Sequence, residues 1–156
     1  TRFCRLLRKL ATAARRDPYG SGAVRVLMWA AMSEERPRRV AIADSSPAFL
    51  TAAASYISDL PGYILAGTSD TASQALTLVN SSGADVLLLD LGSYPIRGLE
   101  MVRRVKAQPR APVVVAMTLF HTREAAAAAR GAGADALVGK ECFVAGLRDA
   151  LARLFP

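Results

Sequence analysis

Ala84-Asp85-Val86-Leu87-Leu88-Leu89-Asp90-Leu91 is an apolar run of leucine and β-branched character that closes on a carboxylate. Such a run reads as a strand buried on both faces, as in a parallel sheet covered by helices. Asp90 then stands at the carboxyl edge of the sheet, where open α/β folds place their ligand sites. The rest of the chain reads as a frame that brings three other polar residues to Asp90.

Toward the N-terminus, Val40-Ala41-Ile42-Ala43 is a short apolar strand ending at Asp44. Ser46-Pro47 supplies an N-cap followed by Pro at the first helical position. Phe49, Ala53, Tyr56, Ile57 and Leu60 make one helical face, and Pro61-Gly62 stops the helix. Residues 63–67 form a second strand, and Thr71-Ala72-Ser73-Gln74 reads as a capping box opening a helix to about Ser81. Beyond Asp90, a third helix is expected over residues 98–108, with Leu99, Val102 and Val105 on one face. Residues 112–118 form an apolar fourth strand ending at Thr118. Residues 122–130 are so rich in Ala that their helix propensity is high and their core contribution small. Gly131-Ala132-Gly133 ends that helix. Residues 136–139 make a short fifth strand ending at Lys140. The last helix covers residues 143–154, with Val144, Leu147, Leu151 and Leu154 spaced at three and four.

Five βα units in a row define an α/β fold: a doubly wound parallel sheet with helices on both faces. Right-handed crossovers leave few topologies. No strand is followed by GxGxxG or GxxxxGK[ST], so a nucleotide-binding fold has no support in the sequence.

The 156 residues suffice for one domain with a proper core. The composition is 52% hydrophobic, which excludes a disordered chain, and no apolar run reaches membrane-spanning length. Cys4 and Cys142 show neither metal nor disulfide spacing, which fits a reducing, cytoplasmic location. His121 is alone, so a His-based metal site is not expected. The net charge of +7 is concentrated at one end: residues 1–39 hold 10 Lys/Arg against 3 Asp/Glu, and residues 40–156 hold 10 of each. A nucleic-acid domain would carry its basic residues on a structured face, whereas the regular part here is neutral. Residues 1–37 are therefore read as a basic N-terminal extension outside the fold, and residues 38–156 as the domain. Within the extension, residues 2–16 have the pattern of a short basic amphipathic helix suited to an anionic membrane surface or nucleic acid. Met32, followed by Ser-Glu-Glu-Arg-Pro-Arg-Arg, looks like a natural start, so residues 1–31 are expected to be additional sequence ahead of it rather than a functional arm.

Asp44, Asp90, Thr118 and Lys140 end four different strands, and in a parallel sheet those ends share one edge. Carboxylates without His or Cys suit a hard cation such as Mg²⁺. A lysine and a hydroxyl beside them suit a phosphoryl group, and an Asp can itself be the nucleophile that forms an aspartyl phosphate. Each residue alone has an ordinary explanation: a helix cap, a β-former, a solvated surface charge. The set of four carries the reading.

These residues resemble the receiver (CheY-like) domain of bacterial two-component response regulators. The resemblance covers about residues 38–156 and looks closest to the LuxR/NarL-type receivers that precede a LuxR-like helix-turn-helix. It is carried by Arg39-Val40-Ala41-Ile42-Ala43-Asp44-Ser45-Ser46-Pro47, by residues 84–91 with Gly98-Leu99-Glu100, by Pro112-Val113-Val114-Val115-Ala116-Met117-Thr118, and by Gly133-Ala134-Asp135-Ala136-Leu137-Val138-Gly139-Lys140. The family fold is flavodoxin-like, with five parallel strands in the order 2-1-3-4-5, an order that comes with the resemblance. The resemblance implies that Asp90 accepts a phosphoryl group from a phosphohistidine in phosphorelay signal transduction. It implies that Asp44 belongs to an acidic pair holding Mg²⁺ together with Asp90 and the backbone carbonyl of Gly92. Lys140 would pair with the phosphoryl oxygens, and Thr118 would bond the phosphoryl group and draw the following loop inward as a two-state switch. The implied partner is a sensor histidine kinase or phosphotransfer protein, with a homodimer left open. Any enzymatic activity is at most autocatalytic phosphoryl acceptance and aspartyl-phosphate hydrolysis. This chain ends at Pro156, immediately after the last helix, so no DNA-binding domain is expected within it.

The sequence departs from the family pattern at four places. The acidic pair is reduced to Asp44 and Ser45, so Ser45 would hold the metal weakly or through water, and Mg²⁺ affinity should fall with the lost ligand charge. The switch aromatic three residues before the lysine is Leu137. The position four residues after the phosphoacceptor, usually Pro, is Tyr94, with Pro at 95. Leu119-Phe120 after Thr118 is bulky where the family is often small, and would screen the site. Two readings follow. One is a phosphorylation-dependent receiver with a weakened metal site, favoured by Asp90, Thr118 and Lys140. The other is a phosphorylation-independent pseudo-receiver serving as a protein–protein interaction module, favoured by Ser45 and Leu137.

Overall fold

The computed structural model describes residues 36–92 and 95–156. The readings of Cys4, of residues 1–31 and of Tyr94 lie outside the described residues.

Five strands form one parallel sheet in the order β2-β1-β3-β4-β5. They are β1 (Arg38–Ala43), β2 (Tyr63–Ser69), β3 (Val86–Asp90), β4 (Val113–Thr118) and β5 (Ala136–Gly139). The helices between and after them are α1 (Pro47–Asp59), α2 (Ala75–Ser82), α3 (Pro95–Lys106), α4 (Arg123–Ala132) and α5 (Phe143–Leu154). The doubly wound architecture and the strand order expected from the sequence are both present.

The sheet alternation sorts the core into two layers. Val40, Ile42, Val86, Leu88, Val115 and Met117 point to one face, where Ala53 and Ile57 of α1 and Leu147 and Leu151 of α5 cover them. Ala41, Ala43, Leu87, Leu89, Val114 and Ala116 point to the other, under Val79 of α2, Met101, Val102 and Val105 of α3, and Ala129 of α4. Every residue of β3 is buried, as the continuous apolar run requires of a central parallel strand.

Local chemistry explains several of the helix boundaries. Ser46 Oγ accepts the Phe49 amide at 3.3 Å and Pro47 opens α1. Thr122 Oγ1 accepts the Ala125 amide at 3.0 Å at the start of α4. Gly133, at φ 101°, closes α4 in the left-handed conformation that disfavours a side chain.

Three expectations are corrected. Thr71 and Gln74 do not form a capping box. The side chain of Gln74 is turned to Ser69, whose Oγ lies 3.0 Å from Gln74 Oε1 and accepts the Thr71 amide at 3.2 Å; a 3-10 turn over Ala72–Gln74 leads into α2. The third helix begins at Pro95 rather than Gly98, because Pro is well suited to a first helical turn. Val144 is 53% exposed and lies off the buried stripe of α5, which is made by Leu147, Ala150 and Leu151. Among the described residues, no helix is long and apolar enough to cross a membrane.

Candidate functional site

The register of the sheet brings the strand ends together. Ala43 pairs with Leu89, so Asp44 and Asp90 follow side by side at the carboxyl edge. Asp90 pairs with Met117, and Thr118 pairs with Gly139, which places Lys140 one residue beyond the end of β5 on the same edge.

Three of the four side chains meet. Lys140 Nζ lies 2.6 Å from Asp44 Oδ2 and 2.9 Å from Asp90 Oδ1. Asp44 is fully buried and Asp90 is 7% exposed. The other oxygen of Asp44, Oδ1, accepts the Ser46 amide at 2.8 Å. Oδ2 is buried and has no aligned hydrogen bond, so its contact with Lys140 is a charge pair and not a directed bond. Thr118 ends β4 half-buried, at the same edge but without a polar contact to the other three.

One ammonium between two carboxylates leaves the cluster one negative charge in excess. Burial alone would lower the pKa of Lys140. The close contacts and charges of Asp44 and Asp90 outweigh it, and the net shift is upward from 10.5. Lys140 is thus held as a cation at neutral pH.

The residues present fit a hard cation. Two buried carboxylates carry more charge than Lys140 neutralises, and Asp44 Oδ2 is an oxygen donor without a directed partner. Gly92 follows beside Asp90 at φ 66°, a left-handed conformation that favours glycine. Ser45 is exposed beside the buried Asp44. Among the described residues, no group of three or more His, Cys, Asp or Glu gathers. Asp90, Gly92 and Ser45 open onto a cleft of about 720 Å³ between the strand ends and α3, with Arg97 and Glu100 along its wall.

Two features of the site were not read from the sequence. The Phe49 ring, assigned there only to a helix face, lies under Lys140 Nζ at 4.7 Å from its centroid. Glu141 Oε1 accepts the His121 amide at 3.0 Å, tying the turn after β5 to the loop after β4. The cap at Ser46-Pro47 was the one sequence signal that placed Phe49 near the strand end. For Glu141 there was none.

The family model for the response regulator receiver domain matches residues 40–152. The chain belongs to this family. A curated relative, the nitrate/nitrite response regulator protein NarL of Escherichia coli K12, is 26% identical over 110 residues, covering 70% of this chain and 51% of that protein. The receiver therefore spans about half the length of the curated relatives it matches. Among solved structures, a LuxR-family two-component response regulator from Aurantimonas is 24% identical at a TM-score of 0.67, covering 74% of this chain and 83% of that one. The receiver domain of a putative NarL response regulator from Mycobacterium tuberculosis is 20% identical at a TM-score of 0.68, covering 76% and 96%. The isolated receiver domain of RcsB from Salmonella enterica, solved with the phosphomimetic BeF3⁻, is 20% identical at 0.65, covering 75% and 87%. The structural likenesses carry the receiver fold, and the type of receiver agrees with the one the sequence resembles.

Proposed function

We propose that this receiver accepts a phosphoryl group on Asp90 in phosphorelay signal transduction in the cytoplasm, from a sensor histidine kinase or a phosphotransfer protein. The observation that carries the reading is the Lys140 ammonium set 2.6 Å from Asp44 and 2.9 Å from Asp90, a carboxylate that itself lines an open cleft. A carboxylate oxygen of Asp90 attacks phosphorus, the bond to the donor's imidazole nitrogen breaks, and that nitrogen leaves with its electron pair. Lys140 balances the charge that gathers on the phosphoryl oxygens. Mg²⁺, when bound, supplies further charge neutralisation at the same oxygens. Asp44, Asp90 and the Gly92 carbonyl would hold it, with Ser45 contributing weakly or through water. Thr118, at the end of β4, is the hydroxyl in reach of a group carried by Asp90 once its loop moves inward. Residues 1–37 are proposed to be a basic extension to a receiver spanning residues 38–156.

Ser45 and Leu137 support a second reading, an interaction module that works without phosphorylation. Incubation with acetyl phosphate, with and without Mg²⁺, separates the two. Intact mass should show a metal-dependent addition of one phosphoryl group, absent in Asp90→Asn. Labelling that persists in Asp90→Asn sinks the site assignment. A folded protein that stays unmodified at high Mg²⁺ supports the interaction module.

A further inference from the structure

Lys140 has a third neighbour besides its two carboxylates. Its ammonium lies over the face of Phe49, 4.7 Å from the ring centroid, in a side chain only 15% exposed. Phe49 sits in the first turn of α1, whose start is pinned by the Ser46 cap and by Pro47. Its ring is backed by Phe143, edge-on at 5.0 Å and 77°, and Phe143 is backed in turn by Tyr56 at 5.9 Å and 71°. The three rings form a cluster between α1 and α5 that fixes the Phe49 face under the site.

A ring face carries negative potential, and its attraction for an ammonium grows as water is excluded. Lysine needs such help more than arginine, because a point charge on a flexible four-carbon stem has no preferred geometry toward carboxylates. The Asp44 contact is not directionally bonded, so it does not by itself fix where the ammonium sits.

We propose that Phe49 is a positioning residue for Lys140: its ring face holds the ammonium between Asp44 and Asp90, where an incoming phosphoryl group needs it. The proposal rests on Asp90 being the phosphoacceptor. Phe49 acts through Lys140. Losing its ring face therefore weakens the hold on a phosphoryl group while the apolar volume keeps the fold.

The test compares the full chain with Phe49→Leu, which keeps apolar bulk without a ring face, and Phe49→Tyr, which keeps the face. Two quantities are read: the NMR shift of the Lys140 ε-methylene protons in the resting protein, and the affinity for beryllofluoride with Mg²⁺. In the wild type and Phe49→Tyr the ε-methylene protons should be moved upfield by the ring current. In Phe49→Leu that displacement should vanish and beryllofluoride affinity should fall about three- to thirtyfold. Unchanged affinity in Phe49→Leu overturns the proposal, and so does a Phe49→Tyr protein as impaired as Phe49→Leu, which would mean that only packing matters. A wild-type protein that binds no beryllofluoride fails the phosphoacceptor reading instead. The ring-current comparison still decides whether Phe49 holds Lys140, and identical shifts in wild type and Phe49→Leu refute that placement.

Discussion

Asp44 and Ser45 are adjacent in the chain and opposite in environment: Asp44 is fully buried and Ser45 exposed. Putting a carboxylate at 45 adds a charge beside the cleft without adding a buried one. Unit charges 4 Å apart attract at about 4 kcal/mol for an effective dielectric constant of 20, but desolvation and repulsion from Asp44 and Asp90 offset much of this. Ser45→Asp should tighten Mg²⁺ binding about tenfold, worth about 1.4 kcal/mol, as measured by titration calorimetry. An unchanged affinity would mean that residue 45 does not face the metal. At this scale the sequence was informative wherever a strand ended on a polar residue. Asp44, Asp90 and Lys140 were all visible in that way, and they meet. It was silent on Phe49, because an aromatic at helical spacing looks the same whether it packs on the core or under an ammonium. Thr118 was placed at the correct edge, but its distance from the cluster depends on loop geometry that spacing does not encode.

Among the elements, α3 shows what pattern alone leaves out. Gly98 is buried, and a Cβ on it would come within 2.6 Å of Leu91 Cα and 2.8 Å of the Leu91 carbonyl oxygen. Backbone atoms cannot swing aside as a side chain can. Gly98→Ala gains about 1 kcal/mol of helix propensity, against about 1–3 kcal/mol for overpacking a filled space. The overpacking should win, because the clash is with the backbone that follows Asp90. The expected result is a lower urea midpoint with an unchanged slope, together with slower phosphorylation as Leu91 shifts. A variant at least as stable as wild type would show that α3 can move away from β3. The periodicity of Leu99, Val102 and Val105 revealed the helix and its inner face, but it carried no distance to the neighbouring strand. The failed capping box at Thr71 has the same origin: Ser69, two residues upstream on the strand, competes for Gln74. The local signal was real, and a partner on the preceding strand overrode it.

At the scale of the whole molecule, the site is a junction of separate strands. Asp44 comes from the end of β1, Asp90 from β3, Thr118 from β4 and Lys140 from just past β5. Their convergence is legible because parallel topology puts all carboxyl ends on one edge, so alternation of strands and helices was enough to predict it. The same topology couples the site to global stability, since unfolding must separate strands that a ligand at the edge holds together. A ligand that binds only the folded chain stabilises it by about 2.7 kcal/mol at a hundred times its dissociation constant. At about 4 °C per kcal/mol for a chain of this size, beryllofluoride with Mg²⁺ should raise the melting temperature by roughly 10 °C. Mg²⁺ alone should raise it less, because it engages two carboxylates that Lys140 already partly neutralises. Asp90→Asn should lose the beryllofluoride increment, since the amide cannot take the place of the carboxylate that carries the phosphoryl mimic. An equal increment in Asp90→Asn would move the binding site away from the junction. No increment in the wild type would leave the family's fold standing without its phosphoryl chemistry, and Ser45 would then be the first residue to change to an acid.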